Sequence, residues 1–104
     1  MGSEDIRITG PLLRVLQEFL SKPTQELSGA DIAQATKLAS GTLYPLLKRL
    51  EDAGWLTSEW EDVQPHAVGR PRKRLYTVTG LGISKAKATI NETFANHGVL
   101  AWNS

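Results

Sequence analysis

Two groups of side chains in this chain are suited to meeting negative charge. Arg70, Arg72, Lys73 and Arg74 crowd into the string GRPRKR, and guanidinium and ammonium groups held close together are donors matched to phosphate oxygens. Upstream, SGTLYPLLKRLEDAGW at residues 40–55 carries Ser40, Thr42, Tyr44, Lys48 and Arg49. Hydroxyls at the start of a helix and cations further along it suit the base edges and phosphates of double-stranded DNA. The chemistry is recognition of a polyanion, with no bond made or broken.

Bond-making chemistry lacks its parts. With no cysteine there is no disulfide, thiolate nucleophile or thiolate-held metal. His66 and His97 are far apart, and no Ser, His and acid grouping with a glycine elbow occurs. The sequence therefore predicts no enzyme, no metal site and no cofactor. His66 reads as a solvated loop residue or a weak phosphate contact.

The net charge of +1 conceals how the charges are placed. Glu51, Asp52, Glu59, Glu61 and Asp62 make one stretch acidic, and the four cations of residues 70–74 follow it. Such segregation creates a local positive surface; the bland alternative is a solvated basic loop. A length of 104 residues gives room for one domain with a modest core, so burial through self-association would add stability. Hydrophobic content of 40% with 22% charged residues is that of a globular protein. No apolar run approaches the roughly 20 residues that span a bilayer, and the start lacks the pattern of a signal peptide. Met1-Gly2-Ser3 is no myristoylation signal, since position 6 is Ile. No membrane partner and a cytoplasmic location are expected.

The elements that must position these residues follow from periodicity and punctuation. Pro11 opens a first helix in which Leu12, Leu13, Leu16, Phe19 and Leu20 recur at helical spacing, ending near Ser21-Lys22-Pro23. Ser28, with Asp31 three residues on, caps a short second helix through Ile32, Ala33, Ala35 and Thr36, and Lys37-Leu38-Ala39 makes a tight turn. Ser40 is placed to cap a third helix whose Leu43, Leu46, Leu47 and Leu50 form one inward stripe at about 100° per residue. Gly41, Pro45 and Lys48 then face outward, with Thr42, Tyr44 and Arg49 on the flanks. Pro45 predicts an irregularity in that helix, and Gly54 a left-handed stop. Residues 55–60 read as a strand, 62–71 as a loop and 73–78 as the returning strand. Pro71 biases Arg70 toward extended backbone, so that Arg70 and Arg72 project from a stiffened tip suited to a narrow minor groove. Thr79 caps a last helix with Ile83, Ala86, Ile90 and Phe94 on one stripe, ending near residues 96–98.

The fold class is mainly α with a small β-hairpin: a winged helix-turn-helix over residues 1–79, then a C-terminal dimerisation helix and tail over residues 80–104. Leu12, Ile83, Ile90 and Phe94 are the expected dimer-interface residues. Other roles compete at each site residue. Ser40 and Thr42 also suit helix capping, Tyr44 suits half-buried packing, and Lys48 suits an i,i+4 pair with Asp52. Arg70, Arg72 and Lys73 are the strongest candidates for wing contacts, while Trp55 and Trp60 read as packing residues at the base of the wing. The five-residue string GRPRK also resembles the core of an AT-hook.

SGTLYPLLKRLEDAGW and GRPRKRLYTVTGLG, in this order and spacing across residues 28–82, resemble the PadR family of bacterial transcriptional regulators. The short C-terminal segment is similar to the compact branch of that family, which carries a single dimerisation helix. The resemblance implies a homodimer that binds a palindromic operator near its own or a neighbouring gene, usually as a repressor released by a small-molecule effector. In drug-binding relatives a Trp in the middle of the last helix lines a pore at the dimer interface, where this chain has Thr93 and Phe94. The rival reading is a winged helix that docks a protein.

Overall fold

The computed structural model describes residues 6–96. Helix α1 (Gly10–Ser21) opens where the Thr9 hydroxyl accepts from the Leu12 amide at 3.2 Å, with Pro11 in the first turn, where it has no hydrogen bond to lose. Its buried stripe is Leu12, Val15, Leu16 and Phe19. Leu12 is 0% exposed within the single chain, so it belongs to the internal core. The expectation of Leu12 at a dimer interface is corrected on that ground: it has no surface left to offer a partner.

Strand β1 (Leu27–Ser28) runs straight into helix α2 (Gly29–Thr36). The predicted capping box is present: the Asp31 amide donates to the Ser28 hydroxyl at 3.1 Å, and the Ser28 amide donates to the Asp31 carboxylate at 3.2 Å. Ser28 is buried, so water cannot replace the lost acceptor. Ser28→Ala is therefore expected to cost about 1 kcal/mol of stability in a denaturant titration. Lys37, in left-handed backbone at φ 64°, ends α2 and starts the turn into α3. From α1 the Arg14 guanidinium donates to the Thr36 carbonyl at the end of α2, at 3.1 Å.

Helix α3 (Ser40–Asp52) differs from expectation at two points. Ala39 occupies the cap without a side-chain hydrogen bond, so Ser40 is the first helical residue and not the cap. The helix also runs through Pro45 without interruption. The ring removes the bond to the Gly41 carbonyl, but both residues lie on the exposed side, where solvent can satisfy that oxygen. The far end closes as expected at Gly54, φ +84°. The Trp55 amide reaches the Leu50 carbonyl at 2.9 Å and the Gly54 amide the Glu51 carbonyl at 3.0 Å, the pattern of a Schellman motif.

Strands β2 (Leu56–Trp60) and β3 (Arg74–Val78) form the antiparallel wing, with Leu56 opposite Val78 and Trp60 opposite Arg74. β1 pairs with the other edge of β3, giving a three-stranded sheet of order β1-β3-β2. Two residues carry no periodicity, so this strand left no sequence signal. Between β2 and β3 the predicted loop contains one helical turn, α4 (Pro65–Val68), stopped by Gly69 at φ +73°. Helix α5 (Gly80–Asn96) starts beyond Thr79, whose hydroxyl accepts from the Gly82 amide at 2.9 Å and donates to the Gly54 carbonyl at 2.7 Å. Ala86 is buried in the common core, and Ile83 and Ile90 pack against it from the side. His97, Gly98 and the apolar tail Val99–Trp102 lie outside the described residues.

Candidate nucleic-acid interface

Leu43, Leu46, Leu47 and Leu50 are all buried, which fixes the rotation of α3 and turns Ser40, Thr42, Tyr44, Lys48 and Arg49 to the surface. Lys48 pairs with Asp52 at 3.1 Å, with the two side chains 74% and 60% exposed. A pair so solvated is worth a few tenths of a kcal/mol, so a phosphate can compete for the ammonium. Arg49 has no ion pair among the described residues. Tyr44 is 46% exposed and leans its ring on Gly29 at the start of α2; a Cβ at Gly29 would overlap the Tyr44 hydroxyl and ring edge. Gly29→Ala is thus expected to swing Tyr44 away with little loss of stability, because the obstacle is a movable side chain. The expected readout is DNA affinity lowered by about tenfold, or ~1.4 kcal/mol, in a binding titration.

The wing's cations divide into two groups. Arg70 reaches back across the hairpin in a two-pronged bond to Glu61, Nη1 to Oε1 at 2.7 Å and Nη2 to Oε2 at 3.0 Å. Its Nη1 also donates to the Pro71 carbonyl. Glu61 further accepts from the Lys73 amide at 3.1 Å, so one carboxylate latches both sides of the loop. The expectation that Arg70 projects freely from the tip is therefore not met: an acidic partner nine residues upstream holds it. Arg72 and Lys73 are exposed; Arg72 donates its Nε to the Val63 carbonyl at 2.9 Å, and neither side chain makes an ion pair within 4 Å among the described residues, although the Lys73 charge also favours the Glu61 carboxylate.

The Arg70 bond, helped by the Lys73 amide, pulls the Glu61 carboxyl down to about 2. Because the folded value lies below the ordinary 4.5, the latch is complete above the usual carboxylate range and is lost as pH falls toward 2. A carbon-detected NMR titration of Glu61 is expected to show a midpoint near 2, returning toward the ordinary range in Arg70→Ala.

Arg74 is turned to a different task. Its Nε donates to the Ser58 hydroxyl at 3.0 Å, Nη2 lies 3.7 Å from the Glu51 carboxylate, and its guanidinium sits 5.1 Å from the centroid of the Trp60 ring. Ser58 in turn donates to Glu51 at 2.5 Å. These bonds tie the last turn of α3 to both wing strands, so helix and wing present one surface. Sequence reading placed Arg74 within the basic cluster but had no signal for Ser58 and Glu51 as its partners, which stand 16 and 23 positions away. Trp55 is buried as predicted, whereas Trp60 is 58% exposed; the expectation that Trp60 is a packing residue is corrected. Between α2, α3 and the wing lies a cleft of about 410 Å³ lined by Tyr44, Trp60, Arg72, Lys73 and Arg74 among others.

Among the described residues no group of three or more His, Asp or Glu is placed to hold a metal ion. No helix among them is long and apolar enough to cross a membrane. Residues 23–88, from the end of α1 to the middle of α5, match the model of the transcriptional regulator PadR-like family. The chain belongs to that family. PadR-like proteins are DNA-binding regulators and not enzymes, which accords with a surface of donors and cations. No match was found among curated proteins.

Solved structures share the PadR-like chain's fold. MepR of Staphylococcus aureus, a transcription regulator of the multidrug efflux pump MepA, superposes with a TM-score of 0.68 at 21% identity, covering 97% of this chain and 69% of that one. A PadR family transcription regulator from Clostridium difficile R20291 gives 0.68 at 22% identity, covering 89% and 97%. AbfR of Staphylococcus epidermidis gives 0.63 at 25% identity, covering 89% and 55%. The chain thus spans nearly the whole clostridial regulator and about two thirds or less of the MepR structure in DNA-binding conformation and of AbfR.

Proposed function

We propose that this PadR-like regulator acts as a homodimer on a palindromic operator, as a repressor of its own or a neighbouring gene that a small-molecule effector releases. In this reading two copies of α3 enter successive major grooves about 34 Å apart, and the wings reach the flanking minor grooves. Ser40, Thr42 and Tyr44 meet base edges and phosphates; Lys48, Arg49, Arg72 and Lys73 meet phosphates. Arg70 contributes by holding the wing's shape. The observation that carries the proposal is one continuous surface: the exposed face of α3 and the unpaired cations of the wing, joined by the Arg74 bridge. Dimerisation is assigned to α5, through Ile83, Ile90 and Phe94, each of which keeps part of its surface exposed in the single chain.

The test is a titration of the full chain against inverted repeats from the DNA upstream of its gene, at low and moderate salt, with the mass of the free protein measured by sedimentation. Binding that weakens steeply with salt, by a dimer, supports the proposal. A monomer, or an affinity indifferent to salt, overturns it; in the rival reading the shallow slope belongs to a protein partner gripping an apolar face.

A further inference from the structure

Among the described residues Trp60 is the most exposed of the large apolar side chains, yet it is not loose. One face of its ring is held by the Arg74 guanidinium, an attraction that fixes the indole at the mouth of the wing. The ring also lines an open hollow of about 930 Å³ together with Pro65 and Pro71, and His66, Arg70 and Arg72 line it too. The same ring forms a wall of the cleft that contains Tyr44 and Lys73, so the hollow continues the surface assigned above to DNA. No carboxylate is among the described residues that line it. Glu61 is neutralised by Arg70, and Glu59, the preceding strand residue, points to the opposite face of β2.

We propose that this hollow seats the backbone of one DNA strand, with the Trp60 indole, Pro65 and Pro71 against deoxyribose and Arg72 on the adjoining phosphate. The backbone of DNA alternates an apolar sugar edge with an anionic phosphate, and the hollow offers apolar side chains, Trp60, Pro65 and Pro71, beside the Arg72 guanidinium. An apolar protein segment would leave the Arg72 guanidinium, which among the described residues bonds only a backbone carbonyl, without an anion; a DNA strand supplies one. The contact reads no sequence, so it strengthens binding to every duplex alike. This inference rests on the DNA-binding reading above.

The experiment compares the full-length wild type with Trp60→Ala, Trp60→Phe and Arg72→Ala on one inverted-repeat duplex and one unrelated duplex. Trp60→Ala is expected to weaken both complexes by about tenfold with an unchanged salt slope, since no charge is lost, while Arg72→Ala flattens the slope. Trp60→Phe is expected to keep most of the affinity. DNA is also expected to quench the wild-type tryptophan emission, and Trp60→Phe to abolish the quench. If Trp60→Ala fails to fold, the quench difference decides. Wild type that binds DNA while Trp60→Ala binds within about twofold of it, or with the quench intact in Trp60→Phe, overturns this inference alone. Self-association lost in Trp60→Ala overturns it too, by giving the hollow to a second copy. Wild type that ignores every duplex in dilute buffer sinks the DNA-binding reading and this inference with it.

Discussion

Replacing Arg72 and Lys73 together by alanine is expected to lower the slope of log affinity against log salt by about 1.8, two phosphate contacts at about 0.9 each. By the same relation the affinity at 0.1 M salt falls about 60-fold. The expectation singles out these two because both are exposed and neither is locked to a carboxylate as Arg70 is to Glu61, so their charge is available to phosphate. Arg70 is the instructive contrast. Its guanidinium already has a carboxylate in a two-pronged bond, and removing it leaves Glu61 uncompensated beside the DNA. Arg70→Ala is expected to weaken binding through repulsion and a loosened hairpin, and Arg70→Ala with Glu61→Gln to recover part of the loss. A fluorescence-anisotropy titration across a range of salt separates the two behaviours. If Arg70→Ala flattened the slope as much as Arg72→Ala does, the assignment of Arg70 to the latch would fail.

The second large effect concerns stability. Gly82→Ala is expected to cost about 3 kcal/mol, a fall in melting temperature of roughly 12–24 °C for a domain of this size. Gly82 is buried in the first turn of α5, and a Cβ there would run into the backbone carbonyl of Trp55 and the Val78 side chain. Neither neighbour can retreat cheaply. The Trp55 carbonyl accepts the Thr79 amide at 2.9 Å, which sets the angle at which the helix leaves the wing, and Val78 is a core residue. Gly80→Ala, two residues earlier, meets nothing within 4 Å and serves as the control: its melting curve is expected to stay close to wild type. Because α5 carries the proposed dimer contacts, Gly82→Ala is also expected to weaken the dimer in sedimentation.

Much of this architecture is written locally. The leucine stripe of α3 sets which way Tyr44, Lys48 and Arg49 face, because burying four leucines leaves the helix one rotation. Ser28 with Asp31, Gly54, and Thr79 each mark an element's end through bonds spanning only a few residues, and each stands in the structure where the sequence predicts it. The two hairpin strands were legible from their β-favouring residues, and α5 from its stripe.

What escaped the sequence shares one physical character: each feature depends on a partner chosen by the fold. Leu12 shows the helical spacing of an inward residue, but only packing decided that its neighbours are all within one chain. Arg70 and Arg72 sit in the same basic string, yet the hairpin brings Glu61 to one and a backbone carbonyl to the other. Periodicity reports which side of an element is apolar; it carries no information on which distant group will arrive there. The sequence by itself determined the four longer helices, the caps at Ser28 and Thr79, the stop at Gly54, the hairpin and the positive character of its tip, since those rest on contacts within a turn or two of chain. The tertiary structure alone decided which cations remain unpaired, that Arg74 welds helix to wing, and that Trp60 faces outward, since those depend on charges and surfaces brought together across the fold.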